Sequence, residues 1–350
     1  MNKPSQRNQT VDMIRGVAML MVVLGHTMTG STENAQNSFL FNLIWALQMP
    51  LFMLISGYVA TYGRPILKLK DLGNYLKRRT LAYLLPWFSW TFVVRGLIFG
   101  QYSFFDIKWL IYNMDSGYWF LFSIWTISVV FGFSQFLAQL FLKKSGIKAT
   151  LLAVAFYVLG AAMIAIVGLC MGLNFLCIKL TLYYMPFYIA GFLYGKLQSF
   201  ISKWKNQEKV LSAVVMVAAG AFFAVILRIN LYEMADNISG IILRAATSLM
   251  GCIAVCGLLA KVFESTGLAK LRKVLVYVGE HSLEVYVIHY LCLSLLKPQS
   301  GVAFASFNGF MVVAVNFALT VLISLMVQKL LNRNQWASRL LFGKKTNCKA

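Results

Sequence analysis

Acidic residues are scarce in this chain: eleven Asp and Glu stand against 32 Lys and Arg in 350 residues. Charge of either sign is thin, at 12% of the sequence, where a soluble domain carries about a quarter. That excludes an ordinary solvated surface. Cysteines are few, and none of Cys170, Cys177, Cys252, Cys256, Cys292 and Cys348 forms a CxxC pair. Cys252 and Cys256 are one helical turn apart with no histidine nearby in sequence, so a zinc centre is not expected. These cysteines read as small apolar packing residues. The chain also lacks an internal repeat, a low-complexity tract and any segment long enough for a folded soluble domain. No symmetry between halves, of the kind many transporters carry, is evident.

What is present is long apolar runs. The sequence is 59% hydrophobic, and runs of membrane-spanning length recur along it. Ten spans are expected, at roughly 11–30, 39–62, 80–99, 117–141, 149–168, 174–195, 210–230, 238–260, 275–296 and 304–328. The fold class is therefore all-α, a polytopic bundle of about ten transmembrane helices. The first run is too long for a signal peptide and is interrupted early by Asp12 and Arg15, so it is expected to be retained as a span. Two segments are expected: a membrane domain over 1–328 and a basic cytoplasmic tail over 329–350. In the tail, Trp336, Leu340, Leu341 and Phe342 interleave with charges, which suits a helix or tail lying on an anionic membrane surface.

The formal net charge of +21 does not point to nucleic acid, because the cations fall on alternate short loops. One set holds Lys3 and Arg7, then Arg64 through Arg79, then Lys143, Lys144 and Lys148, then Lys196 through Lys209, then Lys261 through Lys273, and the C-terminal tail. The opposite loops hold only Lys108 and Lys297. Cytoplasmic loops carry the Lys and Arg, so both termini are expected in the cytoplasm of a multi-pass protein of the cytoplasmic (inner) membrane.

Five cations remain inside the spans: Arg15, Arg95, Lys179, Arg228 and Arg244. An ionisable group at that depth is costly and raises a functional hypothesis, although those near span ends can snorkel. Arg15 lies near the cytoplasmic end. The other four fall in the outer third, where cations converging at one depth suit an anionic or hydroxyl-rich ligand. Within the segment DMIRGVAMLMVVLGH, Arg15 and His26 are eleven residues apart, about three turns, and so share a face; Asp12 sits one turn before Arg15. A second constellation, GEHSLEVYVIHY, holds the other two histidines, His281 and His289, with Glu280 and Glu284. There Ser282, Tyr286 and His289 share a face. The bland readings are a packing histidine hydrogen-bonded to a neighbouring helix and an interfacial His281.

These residues resemble the acyltransferase-3 family, membrane enzymes that acylate sugars and cell-envelope polymers. Arg15 and His26 match its first-helix pattern. QMPLFMLISGY, with Pro50, Phe52, Ser56, Gly57 and Tyr58, is similar to its second-span signature. KRRTLAYLLPWF (Lys77 to Phe88), YWFL (Tyr118 to Leu121) and HSLEVYVIH (His281 to His289) resemble later ones. The chain departs in having no acid in its fourth span and no fused extracytoplasmic hydrolase-like domain, so it resembles the short stand-alone branch. The resemblance implies transfer of a short acyl group, acetyl being the first expectation, from cytoplasmic acyl-CoA to a hydroxyl of a glycan or lipid-linked sugar on the extracytoplasmic side. It implies catalytic roles for His26 as base or acyl carrier and for Arg15, assisted by His289 and Glu284. Arg15, Lys77, Arg78, Arg79, Ser56 and Tyr58 would bind acyl-CoA. Arg244, Lys179, Arg228, Arg95 and Trp119 would hold the acceptor. Acyl-CoA is a co-substrate; no metal and no bound cofactor are expected. The expected partners are membrane lipids, acyl-CoA and the sugar acceptor, with no nucleic acid, and a homo-oligomer is compatible with the sequence. Two rival classes stand beside this one: a secondary transporter or polysaccharide exporter using the intramembrane charges, and a non-catalytic acyl-CoA or lipid sensor.

Overall fold

A computed structural model describes residues 8–100, 107–142, 146–234, 236–262, 268–293, 295 and 301–344. Lys3, Arg7, Lys143, Lys144, Lys297, Lys345, Lys349 and Cys348 lie outside them. Fourteen helices follow one another among the described residues. They are α1 (Gln9–Ser31), α2 (Phe39–Ala60), α3 (Leu69–Arg79), α4 (Leu85–Phe88), α5 (Ile107–Tyr112), α6 (Trp119–Leu142), α7 (Ile147–Met171), α8 (Ile178–Ile201), α9 (Gln207–Ile226), α10 (Ile238–Val262), α11 (Ala269–Glu280), α12 (Ser282–Cys292), α13 (Phe307–Leu331) and α14 (Gln335–Phe342). The only strand-like pairing among the described residues is a bridge between Glu33 and Ala303.

Nine of these stretches are long and apolar enough to cross a membrane. The chain is thus an all-helical multi-pass protein, as its apolar runs require: a spanning segment must satisfy every backbone group within itself. Two expectations change. The ninth expected span, 275–296, is not one helix. α11 and α12 meet at His281, whose φ of −109° and ψ of 20° break the regular turn. Secondly, residues 69–79, expected within a basic loop, are helical and continue into the third span, so that Leu69–Ile98 forms one long helical stretch. Asp71 opens it by accepting the Lys68 N–H at 3.0 Å, and Lys77, Arg78 and Arg79 close the first segment. Wider π-helical turns follow at Thr80–Leu84 and Ser89–Ile98, flanking Pro86, which has no N–H to keep the regular ladder.

The chain divides into two compact units. The first comprises Met1–Val59 and Ala190–Lys329; the second comprises Ala60–Ile189 and Leu330–Ala350. In the first unit α1 and α11 approach backbone to backbone. A side chain at Gly16 would strike the Leu275 carbonyl, and one at Gly279 would strike the Asp12 carbonyl. Small residues permit this approach, which membrane helices use in place of a hydrophobic drive to associate. α8 meets α2 in the same way, through Gly191 against the Leu54 carbonyl. Polar side chains add interhelical bonds. Asn316 donates to Ser31 Oγ at 2.8 Å, and Thr320 to the Cys292 carbonyl at 3.0 Å. Buried Asn42 donates to the carbonyls of Ile226 (3.3 Å) and Ile229 (2.8 Å) and accepts the Leu231 N–H (2.8 Å). It thereby satisfies the backbone where α9 ends. In the second unit, Thr181 on α8 donates to Ser123 on α6 at 3.0 Å, and Tyr157 on α7 donates to the Met185 carbonyl at 3.1 Å.

Candidate active site

The first unit brings two of its histidines together. The rings of His26 on α1 and His289 on α12 lie 5.4 Å apart between centroids. The Tyr290 hydroxyl is 3.3 Å from His26 Nε2, and the Tyr290 ring is 4.4 Å from that of His289. Tyr286, one turn earlier on α12, lies 5.7 Å from His289. The Gly16–Gly279 crossing explains the meeting. It anchors α1 on α11, and the helical direction resumes in α12 after the His281 break, so the second halves of both segments run side by side.

His289 is 0% exposed. Its Nδ1 lies 3.2 Å from the Val285 carbonyl, which can only accept, so Nδ1 carries the proton. The neutral ring then leaves Nε2 as an acceptor. That nitrogen has no hydrogen-bond partner among the described residues. Such a group is rarely left unpaired in an apolar interior without a functional reason. His26 is half-buried beside it. The arrangement offers an imidazole whose Nε2 is bonded to a phenol, and a second imidazole presenting a bare lone pair to the same locality. These are the parts needed to accept and return a proton.

Arg15 lies on α1 eleven residues before His26, about 16 Å of rise at 1.5 Å per residue. Its guanidinium is 3.8 Å from the carboxylate of Asp12, which is 2% exposed. Glu284 is also buried, and its Oε1 lies 3.2 Å from His281 Nδ1, with Gln328 Nε2 a further 3.2 Å from the same nitrogen. This acid is thus tied to the helix break, five residues before His289. Ser56 and Tyr58 both have internal partners: Ser56 Oγ donates to the Phe52 carbonyl at 2.7 Å, and the Tyr58 hydroxyl to Gln198 at 2.8 Å. Arg244 is buried, 2.5 Å from Asp236 and 5.9 Å from the centre of the Trp45 ring. Arg228 follows the end of α9 and is exposed.

The remaining expected site residues belong to the second unit. Lys77 and Arg78 are exposed at the end of α3. Arg79 turns among tyrosines, 5.1 Å from the Tyr75 ring centre and 3.4 Å from the Tyr83 hydroxyl. Among the described residues the buried Tyr188 hydroxyl has no hydrogen-bond partner. Arg95 lies over Tyr118 at 5.6 Å, and the neighbouring Trp119 stacks on Tyr184 at 5.5 Å. Lys179 stands at the start of α8. The five residues expected to hold an acceptor therefore divide between the units, Arg228 and Arg244 in the first and Arg95, Trp119 and Lys179 in the second.

Sequence reasoning overlooked Tyr290 and the tyrosines around Arg79. Tyr290 follows His289 directly, but adjacency along a helix turns a side chain by about 100° and hides such a pairing. Tyr75 and Tyr83 carry a readable signal, an i, i+4, i+8 spacing with Arg79 at its centre.

Among proteins of known role, the chain is similar to the nodulation protein NolL of Sinorhizobium fredii (strain NBRC 101917 / NGR234), at 26% identity over 201 residues, 55% of this chain and 50% of that protein. It is similar also to the nodulation protein NolL of Mesorhizobium japonicum (strain LMG 29417 / CECT 9101 / MAFF 303099), at 25% identity, covering 55% of this chain and 49% of the relative. The chain spans about half the length of the curated relatives it matches. No solved structure matches it. The family model described as an acyltransferase domain matches residues 8–329, from the start of α1 to the last turn of α13, and the chain belongs to that acyltransferase-3 family.

Proposed function

We propose that the protein transfers a short acyl group, acetyl in the first instance, from cytoplasmic acyl-CoA to a hydroxyl of a glycan or lipid-linked sugar at the extracytoplasmic side of the inner membrane. The observation that carries this reading is the His26–Tyr290–His289 cluster, 5.4 Å between the imidazole centroids, on helices of a membrane acyltransferase family. A neutral imidazole takes the proton of the attacking hydroxyl as its oxygen bonds the thioester carbonyl carbon. The carbon–sulfur bond then breaks, and the proton passes to the departing CoA thiolate. His26 is the base, or itself takes the acyl group before handing it on. Tyr290 holds its ring, and His289 supplies the adjoining acceptor nitrogen.

The donor's phosphates require cations, and Arg15, Lys77, Arg78 and Arg79 are the residues proposed for them; arginine offers a planar fork that matches phosphate oxygens. Arg79 supports the assignment, since its neighbours are tyrosines and no carboxylate pairs with it among the described residues. The sugar is proposed to meet Arg228 and Arg244 of the first unit or Arg95, Trp119 and Lys179 of the second; Trp45 beside Arg244, Tyr118 beside Arg95 and Tyr184 beside Trp119 offer faces for a pyranose ring. Ser56 and Tyr58, whose hydroxyls already donate within the protein, line the donor's path rather than bond it.

The experiment is transfer of radiolabelled acetyl from acetyl-CoA to lipid-extracted saccharide by membranes containing the wild type or His26→Ala. Label in saccharide with the wild type and none with the variant is expected. Equal label with both, or unlabelled saccharide under every donor tried, would remove the assignment.

A further inference from the structure

The C-terminal helix α14 is docked rather than loose. Ser89 Oγ donates to the Leu340 carbonyl and Trp90 Nε1 to the Leu341 carbonyl, each at 2.8 Å. These carbonyls belong to the last turn, which has no helical donors of its own. Buried Phe342 stacks on Trp90 at 6.2 Å between ring centroids. Gly343 then turns the chain with φ at +64°, and a side chain there would strike the Leu81 carbonyl. Glycine is needed at this position both for the left-handed backbone and for the close approach. The turn sends Lys344 back along α14, where its Nζ donates to Asn332 at 3.2 Å.

The result is a cavity of about 330 Å³ between α14 and the α3–α4 stretch. Leu81, Ala82 and Leu85 form its apolar wall, and Arg78, Arg339 and Lys344 contribute three cations. No Asp or Glu lines it among the described residues. Arg78 and Arg339 have no ion pair or hydrogen bond from their side chains among the described residues. Three like charges drawn to one cavity repel one another unless an anion joins them. Trp336 and Leu340 remain 69% and 50% exposed on the same helix, an apolar face of the kind that lies in a bilayer interface.

We propose that this cavity binds the phosphate group of an amphiphile, the two guanidinium groups and the ammonium taking its oxygens and the leucine wall taking the adjoining carbon framework. Two sources supply that chemistry: the 3′-phosphate end of CoA, and the headgroup of an anionic phospholipid. The first rests on the acyl-CoA reading above; the second does not.

The test uses the full chain purified in detergent, as wild type, Arg339→Gln and the double variant Arg339→Gln/Lys344→Gln, with thermal unfolding to establish that each is folded. Arg339 is exposed, so the single variant keeps the test available if the double variant does not fold. Calorimetry with CoA and with dephospho-CoA reads the first source. The wild type should bind CoA about tenfold more tightly, and the variants should bind the two alike. Native mass spectrometry after incubation with phosphatidylglycerol or phosphatidylcholine reads the second. There the wild type should retain phosphatidylglycerol in preference, and the variants should lose that preference. If neither comparison separates wild type from variants, the proposal is overturned. A variant effect on binding in a protein that transfers no acyl group would instead sink the enzymatic reading and leave the cavity's assignment standing.

Discussion

Tyr290 governs what His26 can do. Its hydroxyl, 3.3 Å from Nε2, fixes the ring's orientation and biases which nitrogen carries the proton. Removing the hydroxyl leaves the ring volume intact, so Tyr290→Phe should lower kcat about tenfold while KM for the donor stays unchanged, the loss matching one neutral hydrogen bond. A parallel rise in KM, or no change in either constant, would mean that Tyr290 only packs. His26 and His289 both stood out in the sequence, because an ionisable ring within an apolar run is conspicuous. Their pairing did not, since it depends on how α1 lies against α12, and nothing in either segment read alone states that. Glu284 shows the same limit. Its carboxylate was legible as a buried acid, but its bond to His281 follows from the helix break.

The close crossing of α1 and α11 is the element-scale feature that positions the histidines. Gly279→Val would force the Asp12 backbone away, and overpacking of this kind costs about 1–3 kcal/mol. The variant should show a lower unfolding temperature in detergent together with lost transfer, whereas Gly220→Val, at a glycine with open space around it, should show neither. Asn42 is a second test at this scale. Asn42→Ala leaves a buried carbonyl, a part-buried carbonyl and a buried N–H without their partner, a loss of about 3 kcal/mol. A lowered unfolding midpoint in a chemical denaturation series checks it; an unchanged midpoint would mean water replaces the amide. The long helices were legible because nine stretches carry the length and apolarity that a bilayer demands. The break at His281 was not, since GEHSLEV has no proline and its glycine reads equally as a packing contact. The helical start at Leu69 was hidden for a different reason. Its residues are too polar for a span, and their helix rests on the Asp71 cap and on continuity with the apolar stretch that follows.

At the scale of the whole molecule, the scarcity of acids and the alternation of cations along the sequence form the pattern expected of a chain with a basic cytoplasmic side and a nearly uncharged opposite one. A reporter fused after Phe342 should therefore be active only in its cytoplasmic form, and activity of a periplasm-dependent reporter at that position would reverse the assigned orientation. The central claim remains that His26 carries acyl transfer. Its most direct test is mass spectrometry of surface glycans from cells making the wild type or His26→Ala at equal membrane levels. The account predicts an ester-linked mass increment on the wild-type glycans, equal to one short acyl group per modified sugar, that is absent with the variant. Identical glycans from the two strains, with the wild-type increment present in both, would contradict it.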